Sequence, residues 1–202
     1  MIYVESASKQ DFFVAPHEIL RDLGYEKQEP EPVVKAQLEA VTDEAIAALR
    51  CRACYCLCDI EAIDDTIDFG VFSVTSRDLA RALFGCRQAF LFCATIGAGV
   101  DRIIAKYSRT KPSAAVMAQA AGAAAIESFC DFICHRITEK QWNKHISLRP
   151  RFSAGYGDFS LSYQKEMFRV LDCTKHIGVS LTDSLMMTPS KSVSAVIGVV
   201  SK

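Results

Sequence analysis

The run Pro112-Ser113-Ala114-Ala115-Val116-Met117-Ala118-Gln119-Ala120-Ala121-Gly122-Ala123-Ala124-Ala125-Ile126-Glu127 decides the fold class. Alanine has the highest helix propensity of any residue, and proline suits the first turn of a helix. One long helix is therefore expected from Pro112 to about Trp142. Ala114, Ala115, Ala118, Ala121 and Gly122 leave little side chain between this helix and a neighbour, so it reads as the central core helix. The apolar run from Ala114 to Ile126 contains Gln119 and Gly122 and falls short of the ~20 apolar residues that span a bilayer.

The elements on either side are mixed. Pro16 to Leu23 and Val33 to Leu49 read as helices separated by the breaker Glu29-Pro30-Glu31-Pro32. Cys51 to Ile60 alternates as a strand does, with Ala53, Tyr55 and Leu57 on one face and Cys54, Cys56 and Cys58 on the other. Ile67 to Val74 reads as a short strand, Ser76 as the cap of a helix from Arg77 to Phe84, and Ala89 to Ala94 as a buried strand. Residues 143–157 read as loop and Ser162 to Asp172 as helix. Ser180 to Thr182 and Ser192 to Val200 read as strands. Helices and strands are interspersed without regular alternation. The expectation is a single α+β domain whose mixed or antiparallel twisted sheet packs against helices, including the Ala-rich one. A helical N-terminal part (1–50) precedes a core (51–202).

Composition narrows the function. The chain has 202 residues, half of them hydrophobic, with 23 basic and 24 acidic side chains for a formal charge of −1. Nucleic acid as the main partner is disfavoured, because phosphate binding needs a basic face. The first 13 residues carry Glu5, Lys9 and Asp11 and lack the apolar segment of a secretory signal. The reading is therefore cytoplasmic, with no membrane partner. Nine cysteines, an odd number without a signal, argue against a disulfide framework. Cys51-x-x-Cys54-x-Cys56-x-Cys58 invites a metal or redox reading. Strand alternation instead stacks three of the thiols on one face, where they cannot converge on a tetrahedral ion, and small apolar side chains on a sheet are the favoured account. His135, His145 and His176 are scattered, and no metal site is assigned. Thr95-Ile96-Gly97-Ala98-Gly99 lacks the third glycine of a dinucleotide fingerprint and reads as a helix-starting turn.

The chemistry-bearing stretch is Arg151-Phe152-Ser153-Ala154-Gly155-Tyr156-Gly157-Asp158, within a loop at 149–158. Arginine can hold a carboxylate through two parallel hydrogen bonds. Glycine lets the backbone approach a ligand, and Glu127 on the long helix can receive a cationic centre. Together these suit a small zwitterion. Glu127 reads equally as a solvated helix charge, and Tyr156 equally as loop packing.

Several ordered segments resemble the activation domain of cobalamin-dependent methionine synthase. Arg151 with Gly155-Tyr156 is similar to that family's Arg-x-x-x-Gly-Tyr loop. Lys175-His176-Ile177-Gly178-Val179-Ser180-Leu181-Thr182-Asp183-Ser184 and Met187-Thr188-Pro189-Ser190-Lys191-Ser192-Val193-Ser194 resemble two later segments, and Glu127-Ser128-Phe129 resembles its glutamate-bearing helix. The resemblance implies an S-adenosylmethionine site contacted by Glu127, Arg151, Ser153, Gly155 and Tyr156. It also implies a partner, a corrinoid-binding methyltransferase that holds the cobalamin, and a flavodoxin-like electron donor. In that family inactive cob(II)alamin is reduced and remethylated by S-adenosylmethionine. A stand-alone reactivation subunit is the implied function. Further ligand contacts of the family, an N-terminal aspartate and a distal tyrosine, find no match here. The alternative is therefore a corrinoid-docking module without methyl transfer, and a Cys-rich metal or redox protein is the remaining one.

Overall fold

The computed structural model describes all residues except 26–27, 142–145 and 202, and the side chains of 140, 141 and 201. The expected helix end at Trp142 and His145 lie outside the described residues.

The strand-like alternation at Cys51 builds the centre of the molecule. β1 (Ile2–Ala7), β2 (Cys51–Asp59), β6 (Gln88–Thr95), β7 (Ile146–Leu148) and β10 (Ser192–Ser201) form one sheet in the order β1-β2-β6-β10-β7. Every neighbouring pair is antiparallel. Both faces of this sheet are covered, which is why its inner strands are apolar on both sides. Ala53, Tyr55, Phe90, Phe92, Ala94, Ala195 and Ile197 face one core. Cys54, Cys56, Leu91, Cys93 and Val196 face the other.

The first core is roofed by α1 (Pro16–Asp22), α2 (Pro32–Ala47), α4 (Gly99–Thr110) and α5 (Pro112–Gln141). At 30 residues α5 outruns its apolar stretch, and Pro112–Glu139 is long and apolar enough by length and composition to cross a membrane. It is nevertheless packed inside the protein, against α1, α2, α4 and three strands. Its small residues allow this. A Cβ at Gly122 would come within 2.9 Å of Val100 and 3.1 Å of the Lys191 stem.

The second core lies under α3 (Arg77–Ala82), α6 (Gln164–Leu171), α7 (Cys173–Ile177) and a small sheet of β3 (Glu61–Ile63), β4 (Thr66–Asp68) and β5 (Ser73–Thr75). A short pair, β8 (Ser180–Leu181) with β9 (Met187–Thr188), completes the fold.

Three features differ from the sequence expectation. The N-terminal part is not only helical: β1 is the edge strand of the main sheet, held by a stack of Tyr3 on Tyr55 at 5.4 Å. Ile67 to Val74 is two strands joined by a turn rather than one strand, because Gly70 adopts a positive φ of 75°. Ile146–Leu148 is a three-residue strand paired with β10 rather than loop. The expectations of a long Ala-rich helix, of Ser76 as a cap and of cysteines on one face of β2 agree with the structure.

Candidate functional site

After β7 the chain keeps following β10. Arg149 donates its amide to Gly198 at 2.8 Å, and Phe152 and Val196 exchange both backbone hydrogen bonds, at 2.9 and 2.8 Å. This pairing aims Arg151 at α5. A compact turn follows, closed by the Gly155 amide on the Phe159 carbonyl at 2.7 Å and the Phe159 amide on Tyr156 at 3.0 Å. Gly155 and Gly157 take left-handed φ values of 97° and 53°, which glycine adopts at least cost. Phe159 and Ala154 are buried beneath the turn, and Phe152 stacks on Phe159. The Tyr156 ring stays 67% exposed.

Asp158 fastens the far end of the loop. Its carboxylate accepts hydrogen bonds from the Ser76 hydroxyl at 2.5 Å and from the amides of Arg77 at 2.9 Å and Asp78 at 3.1 Å. The loop therefore caps α3 as well as carrying Arg151. The Ser76 hydroxyl, with the amide donors, holds the Asp158 pKa below the ordinary carboxylate range.

On α5, Glu127 and Asp131 stand one turn apart on the same face. Arg151 donates from Nη2 to Glu127 Oε2 at 2.6 Å and from Nη1 to Asp131 Oδ1 at 2.5 Å. The arginine side chain is 19% exposed, whereas the two carboxylates are 60% and 73% exposed. Burial pulls the guanidinium pKa down, but the hydrogen bond to Asp131 and the acidic groups around it together outweigh burial, and the net shift is upward. Arg151 is a fixed cation. Below it lie the thiols of Cys134, 3.9 Å from Nη1, and of Cys130, whose pKa burial pushes well up.

These residues share a cleft of about 460 Å³, walled by Glu127, Asp131, Arg151, Phe152, Ser153 and Tyr156, with Val193 at its base. The volume falls within the ~300–1,000 Å³ common for small-molecule sites. A larger hollow of about 560 Å³ lies where β1 and α2 end, lined by Lys9, Arg50 and Arg52 with Ile46 and Leu49. Size does not choose between them. Unlike that hollow, the smaller cleft brings acids, a cation and an aromatic face together around the 149–158 loop. Of the five residues expected from sequence, four line this cleft; Gly155 shapes the turn behind it, its missing Cβ lying 3.4 Å from Leu161. Asp131 and Asp158 were not assigned a role from sequence. The i, i+4 spacing of Asp131 from Glu127 was the available signal for the first. Nothing local signalled the second, since Ser76 lies 82 residues away.

The cysteines do not form a metal centre among the described residues, where no group of three or more His, Cys, Asp or Glu side chains is placed to hold an ion. Cys54 and Cys173 approach to 4.0 Å, and Cys56 and Cys58 to 3.9 Å, within or beside the second core.

An antiparallel sheet between two cores, with a cleft where an Arg-Gly-Tyr loop meets a long helix, defines an α+β domain. The chain belongs to the family "Vitamin B12 dependent methionine synthase, activation domain", which it matches over residues 52–201. Among solved structures it is similar to the "MetH Reactivation Domain bound to AdoHcy", with a TM-score of 0.71 at 14% identity, over 98% of this chain and 78% of that one. At that identity the likeness establishes the fold. The family match begins at β2, and the structural likeness extends through the N-terminal helices. No curated protein matches the sequence.

Proposed function

We propose that this protein is a reactivation module that binds S-adenosylmethionine between α5 and the 149–158 loop and presents it to a corrinoid methyltransferase. The observation that carries the reading is the meeting of Arg151, on the family-like Arg-x-x-x-Gly-Tyr loop, with Glu127 of α5 in one cleft that also exposes Ser153 and Tyr156. The solved relative named above is described as bound to AdoHcy, the demethylated product of the same donor.

The residues fit such a ligand. The outward oxygens of Glu127 and Asp131 can accept from an ammonium group or face a sulfonium, and the exposed Tyr156 ring offers its face to a cation. Ser153 brings backbone close to the ligand, and Gly155 shapes the turn that carries Tyr156 to the cleft. No proton has to move. The partner's corrinoid, reduced by a flavodoxin-like electron donor, would supply the nucleophile that takes the methyl group from sulfur and leaves the thioether. The cobalt chemistry belongs to the partner's corrinoid, and this chain supplies alignment. The whole chain, 1–202, acts as one module, with residues 1–50 packed on the core. A cytoplasmic location suits nine cysteines that are all free.

The test is equilibrium binding of S-adenosylmethionine to wild type and Arg151→Ala, with and without a corrinoid partner. Binding that falls about tenfold or more in the variant is expected, because Arg151 holds the Glu127 and Asp131 carboxylates in place and its loss leaves the acceptors of the cleft unpositioned. Absence of binding to wild type in both conditions defeats the ligand reading. A turnover assay starting from cob(II)alamin and a reductant then separates methyl transfer from simple docking. Docking alone gives no dependence on added methyl donor.

A further inference from the structure

We infer that Asp131 sets the charge of the cleft, so that the site holds a cationic methyl donor and lets the neutral product go. This rests on reading the cleft as an S-adenosylmethionine site, and it assigns a specificity-determining role to a residue outside the five expected from sequence.

Arg151 has both terminal nitrogens engaged, one by Glu127 and one by Asp131, at 2.6 and 2.5 Å. Its side chain is largely buried, and the acids are mostly open to the cleft. With Glu127 alone, the guanidinium and carboxylate would cancel. Asp131 adds a second carboxylate, and the three groups sum to −1. A ligand carboxylate could take the arginine in a bidentate grip only by displacing one of these acids. The surface offered to a ligand is therefore acceptor-rich and net anionic.

S-adenosylmethionine carries a sulfonium, an ammonium and a carboxylate, for a net charge of +1. On methyl transfer the sulfur–carbon bond breaks, its electron pair stays on sulfur, and the sulfonium becomes a neutral thioether. The product is net neutral. The attraction between cleft and ligand thus exists before the reaction and disappears with it. For exposed groups some 6–8 Å apart, one unit-charge interaction changes affinity by about three- to tenfold. Salt weakens it.

The experiment is calorimetric titration of full-length wild type, Asp131→Asn and Asp131→Glu with S-adenosylmethionine, S-adenosylhomocysteine and sinefungin, which carries an ammonium in place of the sulfonium. Wild type is expected to favour both cationic ligands over the neutral product, and less so as NaCl is raised. Asp131→Asn should shrink that preference about three- to tenfold, and Asp131→Glu should restore it. A merely structural role would weaken all three ligands together and leave the ratio unmoved. The inference is overturned if every ligand still binds Asp131→Asn with the wild-type preference. It is equally overturned if the wild-type preference ignores salt, a readout that needs no variant to fold. Failure of wild type to bind any of the three instead overturns the ligand reading beneath it.

Discussion

Asp158 accepts a 2.5 Å hydrogen bond from Ser76 across 82 residues of sequence, and this contact ties the 149–158 loop to the start of α3. Ser76 is 2% exposed and also caps the helix by accepting from the Leu79 amide at 3.0 Å. Loop position and helix capping are thereby one arrangement.

The pH dependence of this contact has a definite sign. The folded-state pKa of Asp158 is lowered, chiefly by Ser76 and then by the Asp78 amide. Such a group contributes stability that is fully present above its unfolded value of about 3.9 and is lost as pH falls through the lower folded value. Asp158→Asn places an amide where the donors of Arg77 and Asp78 converge. It should melt below wild type at neutral pH, with the gap closing under acid conditions. Thermal melts of both proteins from neutral pH downward check this. A gap independent of pH would assign the stabilisation to something other than the carboxylate.

Tyr156 was open to two readings from sequence, as loop packing or as pocket wall. Its 67% exposure and its place on the cleft favour the wall. Tyr156→Ala should therefore shift stability by no more than about 0.5 kcal/mol, as surface changes do, while weakening S-adenosylmethionine about two- to tenfold through loss of a cation–π contact. A large fall in melting temperature would return Tyr156 to a packing role.

Legibility differed between local and distant features. Alanine propensity and Pro112 mark α5, alternation marks the two faces of β2, and a continuous apolar run marks the buried strand β6. The edge strands β1 and β7 were missed for opposite reasons. Ile2-Tyr3-Val4 is strand-like in composition but is followed at once by the charged Glu5, Lys9 and Asp11. Ile146-Ser147-Leu148 is too short to show a period and exists through pairing with β10. The cleft was partly legible, since Glu127 and Arg151 came from motif resemblance. That both nitrogens of Arg151 would be occupied needed three dimensions. So did the reason for the Gly97-Ala98-Gly99 turn.

That turn gives a sharp stability test. Gly97 has a φ of 80° and lies against Arg50, and a Cβ at Gly99 would sit 2.3 Å from the Ala48 carbonyl oxygen. Backbone cannot yield as a flexible side chain tip can. The glycines let the start of α4 close onto the end of α2. Gly99→Ala should destabilise by about 1–3 kcal/mol through overpacking, readable as a lower urea midpoint with an unchanged slope. A neutral result would mean that the two helices can separate without loss.

The cysteines should divide by burial. Cys51, Cys54, Cys56, Cys93, Cys130 and Cys173 are buried, while Cys58, Cys86 and Cys134 are partly open. Burial pushes the Cys51 thiol up to about 12, and Cys54 is raised further by its contact with Cys173 and by burial. Cys58 moves the other way, because its 3.9 Å contact with the neighbouring Cys56 thiol favours the thiolate. The thiolate is the nucleophile, so Cys58 should be alkylated first when native protein meets iodoacetamide near neutral pH. Cys86 and Cys134 should follow, the latter slowed by burial of its thiol. The six buried residues should react only on unfolding. Peptide mass spectrometry across a time course reads the order directly. Early labelling of Cys54 or Cys173 would show that the second core opens in the native state, and a core that opens so readily could not hold the loop that Asp158 anchors.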